Sequence, residues 1–198
     1  MTEGSQLHRG LEGVVAAETK LCDLDGRNGR LAYRGYDIDD LARRASYEDV
    51  VYLLWHGELP KPAELDRFTV ALVAAREIAA EVVQGFRVMP KATDPMRALQ
   101  AAVALLGMHD PDATDNSPAA NLRKATRLVS QLATAVAAHH RVRSGQEPVA
   151  PAPDLSHAAN VLYMLSGQRP AGAAVRAFDA SLTLYGEHEM NASTFTTA

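Results

Sequence analysis

The sequence is poor in the residues that mark disulfide-rich, membrane-spanning and nucleic-acid-binding proteins. Among its 198 residues there is one cysteine, Cys22, which excludes an internal disulfide and a cysteine metal site. No apolar run approaches the roughly 20 residues that cross a bilayer, and the first residues lack the pattern of a secretory signal. A net charge of −4 argues against a partner held by a basic surface. We therefore expect a cytoplasmic protein with no membrane contact and no nucleic-acid partner.

The common catalytic motifs are also missing. There is no glycine-rich phosphate loop, no His-Glu-x-x-His zinc motif and no Gly-x-Ser-x-Gly turn. His139 and His140 are adjacent, so on a helix their side chains would point about 100° apart and would not share one metal ion. No metal site is predicted. His157 follows Ser156 at a helix start, where it either packs in the core or faces a pocket, and packing is favoured.

The hydrophobic fraction of 47% is normal for a folded protein, and its pattern begins with a β region. Strand-like segments within residues 11–36 flank a polar loop that contains Asp25-Gly26 and Asn28-Gly29, which favours a hairpin. Cys22 lies in one of these segments and is predicted to be a small core residue. The sequence therefore predicts a small amino-terminal β-hairpin over about residues 11–36.

From residue 37 onward the apolar residues follow helical spacing. Ser46 is predicted to cap a helix over 47–56 that Gly57 ends, and further helices follow. Their apolar positions, with spacings of three and four, include Leu65, Phe68, Leu72, Ala75, Ala79, Val82 and Phe86, then Met96, Leu99, Val103 and Leu106, then Leu122, Ala125, Leu128, Val129, Leu132 and Val136. Met96, Met108 and Met164 are expected in the core. The fold class is mainly α, with helices over about residues 37–198 and no linker clear enough to divide the chain.

The last dozen residues hold the best candidate site. Val175, Phe178, Leu182 and Tyr185 form one helical stripe, and the next position on it is His188, so the imidazole is expected to point inward. Polar residues that can cap a following helix come directly after it, namely Asn191, Ser193 and Thr194. An inward histidine beside free backbone N–H groups would form an anion site. The alternative is that His188 only contacts free carbonyls at the end of its helix.

Several segments in a fixed order resemble the citrate synthase family over nearly the whole chain, from Arg9 onward. The longer ones are Gly10-Leu-Glu-Gly-Val-Val-Ala-Ala-Glu-Thr, Asp25-Gly-Arg-Asn-Gly-Arg-Leu-Ala-Tyr-Arg-Gly-Tyr-Asp-Ile, Leu53-Leu-Trp-His-Gly-Glu-Leu-Pro, residues 155–167 and His188-Glu-Met-Asn-Ala-Ser-Thr-Phe. The resemblance implies a citrate-synthase-like multi-helix fold. It also implies a homodimer that condenses acetyl-CoA with oxaloacetate to citrate and CoA in the tricarboxylic acid cycle.

The resemblance assigns roles to three residues. His188 is similar to an oxaloacetate-binding histidine of the family and would donate a hydrogen bond to the oxygen on which charge grows. Asn191 matches a position beside the substrate, and Ser193 matches one that orients the catalytic histidine of the next helix. Acetyl-CoA is a substrate, and the resemblance implies no cofactor.

The same resemblance implies that the fold is incomplete at its carboxyl end. The family's enol-stabilising histidine, its base aspartate and its carboxylate-binding arginines correspond to sequence beyond residue 198. Residues 1–198 would then be the amino-terminal part of the citrate synthase large domain, inactive alone. Tyr185, where many relatives have histidine, also occurs in 2-methylcitrate synthases that use propionyl-CoA, so that activity stays open. A different alternative is a non-catalytic protein that keeps the helices for dimerisation or for pairing with a full-length subunit.

Overall fold

The computed structural model describes residues 18–187 and residue 189, which form a mainly helical fold with one small sheet. This confirms the predicted fold class. Within these residues, no helix combines the length and the apolar character that a membrane crossing needs. In chain order the elements are β1 (Cys22–Asp25), β2 (Arg30–Tyr33), β3 (Tyr36–Asp37), α1 (Ile38–Arg44), α2 (Tyr47–His56), α3 (Pro62–Ala74), α4 (Ala80–Val88), α5 (Pro95–Met108), α6 (Pro118–Arg143), α7 (His157–Ser166) and α8 (Gly172–Leu184).

The sheet contains the predicted hairpin and one short strand more. β1 and β2 pair antiparallel, with Cys22 opposite Tyr33 and Asp25 opposite Arg30. The Asp25 carboxylate accepts hydrogen bonds from the backbone N–H groups of Arg27 and Asn28, which closes the polar turn between the strands. β3 then pairs antiparallel with β2 after a tight turn at Arg34 and Gly35, both with positive φ. The hairpin is confirmed where the structure describes it, and residues 11–17 lie outside that part.

Most helix starts follow the capping residues that the sequence supplies. Ser46 and Asp49 form a reciprocal capping box at the start of α2, and Gly57 ends this helix with φ of 92°. Ser156 caps α7, which begins at His157. The long helix α6 begins after Ser117, which accepts a hydrogen bond from the Ala120 N–H.

The apolar stripe from Leu65 to Phe86 is divided between two helices. α3 ends at Ala74 and α4 begins at Ala80, so the chain bends between them. Arg76 lies in this bend and is only 2% exposed. Because its guanidinium bonds to backbone carbonyls before α7, the bend brings a charged side chain into the interior. If α3 and α4 formed one continuous helix, the Arg76 side chain would point in a different direction.

In the described part of the chain the core includes two small apolar clusters and one larger one. The larger cluster joins α4, α5 and α6 through residues such as Val82, Phe86, Leu106 and the small Ala135 and Ala138. The others surround Tyr33 and Val50, and Phe68 and Leu72. Met164 is buried as expected, whereas Met96 and Met108 are 64% and 79% exposed. The prediction that these two methionines are core residues is wrong, because they lie on the outer face and at the end of α5.

Candidate functional site

The helix that was expected to present His188 ends before it. α8 stops at Leu184, and Tyr185 at its carboxyl end is 79% exposed. The apolar stripe therefore does not continue inward through Tyr185, so this part of the prediction is wrong. The direction of the His188 side chain stays a prediction. His188, Asn191 and Ser193 lie outside the described residues, so the roles given to them stay predictions. The structure does describe the segment that leads to His188.

A buried tyrosine of the sheet holds this segment. The Tyr33 hydroxyl lies 3.1 Å from the carbonyl oxygens of both Leu184 and Glu187, to which it donates. It also accepts a hydrogen bond of 3.3 Å from the Glu187 N–H. Burial raises the pKa of Tyr33, so the phenol keeps its proton at any physiological pH. One hydroxyl thus ties the end of α8 and the residue before His188 to strand β2.

Gly186 lies against the same part of the core. A Cβ at this position would come within 3.2 Å of the Thr183 carbonyl oxygen, 3.5 Å of Val50 Cγ1 and 3.6 Å of Tyr33 Cε2. A branched side chain here would push the segment away from Tyr33. The absence of a side chain at Gly186 therefore allows the segment to pack closely against the core.

Acidic groups surround Cys22 at this end of the molecule. Burial, and then the neighbouring carboxylate of Glu187, raise the pKa of the Cys22 thiol to about 12. Glu187 Oε1 accepts a hydrogen bond from the Glu189 N–H at 2.8 Å. The thiol is half-buried against the cluster around Tyr33, which fits the predicted core role. Because it stays protonated, it is a poor nucleophile and metal ligand.

Carboxylates of α2 and α8 accept hydrogen bonds from the first residues of other helices, in a network that the sequence did not predict. Glu48 of α2, 4% exposed, accepts a hydrogen bond of 2.7 Å from the His157 N–H at the start of α7. Asp179 of α8 accepts from the Tyr47 N–H at the start of α2, and burial raises the pKa of this carboxyl. Carboxylates at helix N-termini are favourable because they meet unpaired N–H groups and the positive end of the dipole. The network fixes α2, α7 and α8 relative to one another.

Arg76 completes this network from the bend between α3 and α4. Its guanidinium donates to the carbonyls of Ala152 at 2.6 Å and Leu155 at 2.8 Å. Its own carbonyl accepts from the buried Thr134 hydroxyl of α6 at 2.7 Å. Burial lowers the pKa of Arg76, while the negative charge of Glu48 opposes this shift. Nothing local in the sequence marks Arg76 or Glu48 as buried, because their partners are far away along the chain.

The structure decides between the alternatives for the described histidines. His157 is buried, and its ring packs on Tyr47 with centroids 5.1 Å apart, so the packing alternative is confirmed. His139 packs against Phe86, while the side chain of His140 is exposed. Among the residues that the structure describes, no three His, Cys, Asp or Glu side chains lie close enough together to hold a metal ion.

We expect His157 to make the stability of the protein pH-dependent. Burial, and then the positive charge of Arg76, lower the pKa of His157 from 6.5 to about 4. Between these values the unfolded chain binds a proton that the folded chain does not, so stability falls as the pH drops from 6.5 towards 4. A shift of this size corresponds to about 3 kcal/mol. Urea unfolding at pH 7 and pH 4 should show that His157→Phe removes most of this loss.

His140→Gln is the matched control, since it removes an exposed histidine from the same protein. It should leave the pH dependence unchanged. The raised pKa of Asp179 acts with the opposite sign in this range, and it is present in both variants, so the comparison isolates His157. Equal pH dependence in the wild type and His157→Phe would contradict the prediction.

Comparison with known proteins identifies the family to which this fold and sequence belong. The citrate synthase, C-terminal domain family matches residues 10–198. The chain belongs to the citrate synthase family. A citrate synthase of Haloferax volcanii is 45% identical over 196 residues, which covers 96% of this chain and 51% of that protein. The chain thus spans about half the length of the curated relatives it matches.

Other relatives include a 2-methylcitrate synthase and a citrate synthase of known structure. A 2-methylcitrate synthase of Mycobacterium tuberculosis is 41% identical over 193 residues, which covers 98% of this chain and 49% of that protein. A citrate synthase from the archaeon Thermoplasma acidophilum has been solved as a ternary complex with carboxymethyl coenzyme A and oxaloacetate. It aligns with a TM-score of 0.89 at 26% identity, over 95% of this chain and 49% of that one. Family membership is therefore established, whereas the acyl donor is left open between these relatives.

Proposed function

We propose that this chain supplies part of the oxaloacetate site of a citrate synthase type acyltransferase. The reaction condenses acetyl-CoA with oxaloacetate, and a water molecule then hydrolyses the thioester to release citrate and CoA, at the entry to the tricarboxylic acid cycle. The observation that carries the proposal is the 45% identity to a citrate synthase over 96% of the chain. The ternary complex of the Thermoplasma acidophilum relative, with oxaloacetate and a coenzyme A derivative, supports the substrate class.

In this proposal His188 is the residue that contacts the substrate. Its imidazole donates a hydrogen bond to the ketone oxygen of oxaloacetate, where negative charge grows as the new carbon–carbon bond forms. Asn191 lies beside the substrate, and Ser193 orients the catalytic histidine of the next helix. No cofactor is required, because the thioester of acetyl-CoA supplies the activated methyl group. The buried Tyr33 contacts support the proposal, since they hold the residues directly before His188.

Residues 1–198 are, in this proposal, the amino-terminal part of the large domain, and they do not catalyse the condensation alone. A polarising histidine without a base and without a carboxylate clamp cannot assemble the reaction. We place the protein in the cytoplasm.

We also propose that the assembled enzyme is a homodimer. Several large apolar side chains of α5 and α6 are exposed, namely Met96, Val103, Leu122, Leu128 and Val136. Phe86, Pro95, Leu99 and Ala135 line an apolar groove of about 160 Å³ beside Met96 and Val136. Apolar surface of this kind is typical of an interface between subunits.

Two alternatives have support of their own. The 41% identity to a 2-methylcitrate synthase favours propionyl-CoA as an alternative acyl donor. The exposed apolar side chains of its helices favour a non-catalytic protein that dimerises or pairs with a full-length subunit.

Release of the CoA thiol tests the proposed activity. The chain alone, with acetyl-CoA and oxaloacetate, should release no more thiol than the uncatalysed control. The same chain fused to the carboxyl-terminal half of a citrate synthase relative should restore turnover. Propionyl-CoA in parallel reactions separates the two acyl donors, because the preferred donor gives the higher kcat/KM.

The other outcomes of this assay are equally decisive. Rapid thiol release by the unfused chain would contradict the proposal that it is inactive alone. A folded fusion that stays inactive, beside an active full-length relative as the control, would contradict the catalytic role. A stable dimer of the chain without any restored activity would favour the non-catalytic alternative.

A further inference from the structure

The Tyr33 hydroxyl holds the backbone on both sides of Gly186. We propose that Tyr33 is a positioning residue that fixes where His188 stands in the oxaloacetate site; this inference rests on the proposed function. Tyr33 does not touch the substrate. It acts through the backbone of residues 184–187, which its hydroxyl binds at three points.

Covalent geometry carries this effect one residue further. The Glu187 carbonyl that Tyr33 binds belongs to the peptide bond between Glu187 and His188. A peptide bond is planar, so holding its carbonyl oxygen also sets the direction in which the chain continues. Because the Glu187 N–H is held by the same hydroxyl, the backbone of this residue is fixed on both sides. Tyr33 therefore fixes the backbone from which the chain continues to residue 188.

Tyr33 is rigid enough for this role. It is fully buried in the cluster with Leu41, Val50, Leu53 and Leu54. Its backbone pairs with Cys22 of β1 on one side and with Tyr36 of β3 on the other. A ring packed on all sides and a backbone paired on both sides leave the hydroxyl little freedom to move. At the end of α8 the carbonyls of Ser181 and Thr183 accept from the backbone N–H groups of Tyr185 and Gly186, whereas the carbonyl of Leu184 accepts from the Tyr33 hydroxyl.

Gly186 makes the close approach possible. The distances of 3.5 Å to Val50 and 3.6 Å to Tyr33 from a Cβ at 186 mean that the backbone lies directly against the core. A Cβ would already be in van der Waals contact with both side chains, so atoms beyond it would have to displace the segment or its neighbours. The small residue at position 186 and the Tyr33 side chain therefore both contribute to the close packing of this segment.

Tyr33→Phe tests the proposal, because it removes the hydroxyl and keeps the ring in the core. In the 198-residue chain, amide hydrogen exchange at Glu187 should become about fivefold to tenfold faster than in the wild type. The His188 ring signal in the NMR spectrum, assigned with a His188→Gln variant, should shift. In the active fusion, kcat should fall about tenfold, with less change in the KM for acetyl-CoA.

Tyr36→Phe is the matched control, since Tyr36 lies on the neighbouring strand and is 39% exposed. It should change neither the exchange rate at Glu187 nor kcat. A Tyr33→Phe variant with wild-type exchange, His188 signal and kcat would overturn the proposal. If Tyr33→Phe does not fold, the exchange rate of the Tyr33 hydroxyl proton in the wild type provides the test. Slow exchange supports the proposal, and rapid exchange contradicts it.

The proposed function can fail separately from this inference. If His188→Ala leaves kcat of the fusion unchanged, the role of His188 is wrong whatever Tyr33 does. If His188→Ala lowers kcat strongly while Tyr33→Phe leaves it unchanged, only the positioning role is wrong.

Discussion

Replacing Arg76 with alanine is expected to lower the free energy of unfolding by about 3–5 kcal/mol. The substitution removes a buried guanidinium that donates to the carbonyls of Ala152 and Leu155. It also leaves the buried carboxylate of Glu48 without the nearby positive charge. Each carbonyl left without a donor adds to the loss, because it has already given up its contact with water. Urea unfolding at pH 7 measures the change.

Arg169→Ala is the matched control for this prediction. Arg169 also bonds to a carboxylate, that of Asp154 at 2.7 Å, but both side chains are largely exposed. An exposed pair contributes little, so the loss should stay below about 1 kcal/mol. Arg76→Lys should fall between the two, since a single ammonium group cannot reach both carbonyls as the planar guanidinium does. A loss below about 1 kcal/mol in Arg76→Ala would show that the network adds nothing.

Replacing His188 with alanine in the active fusion is expected to lower kcat by about 100- to 1,000-fold. In the proposed reaction the imidazole donates to an oxygen that becomes more negative in the transition state than it is in bound oxaloacetate. Its loss therefore raises the barrier more than it weakens binding, and KM for oxaloacetate should rise by a smaller factor. Steady-state thiol release over a range of oxaloacetate concentrations separates the two parameters.

His109→Ala serves as the control for a general effect of losing a histidine. His109 follows α5, far along the chain from the candidate site, and its partly exposed imidazole lies 3.8 Å from Glu81. This variant should keep wild-type kcat and KM. Wild-type kinetics in His188→Ala as well would remove the histidine from the mechanism. A rise in KM alone would restrict its role to binding.

The features that the sequence predicted correctly depend on neighbouring residues. The turn between β1 and β2 needs only Asp25 and the glycines beside it. The start of α2 needs only Ser46 and Asp49, and its end needs a residue such as Gly57 that tolerates positive φ. These interactions span three or four positions, so they are visible in a short stretch of sequence.

The features that were missed or wrong depend on residues that are distant along the chain. Helical spacing alone does not say where α8 ends, so Tyr185 was expected inside although it is exposed. Arg76 is buried only because carbonyls 76 and 79 residues later face it. The contact of Tyr33 with Leu184 and Glu187 is of the same kind, since nothing near Tyr33 in the sequence points to it. The family resemblance identified the candidate residues, whereas the contacts that hold the segment before them are visible only in the structure.

The long-range contacts of α2 and of the sheet have a consequence for protein synthesis. Glu48 bonds to a residue 109 positions later, Tyr47 to one 132 positions later, and Tyr33 to one 151 positions later. A ribosome releases the amino terminus first, yet these donors and acceptors have no partners until α7 and α8 emerge. Closing such long loops is slow because it costs chain entropy before any contact compensates. Strand β2 and helix α2 therefore reach their final arrangement late, and a nascent chain held for long at this stage would need protection by chaperones.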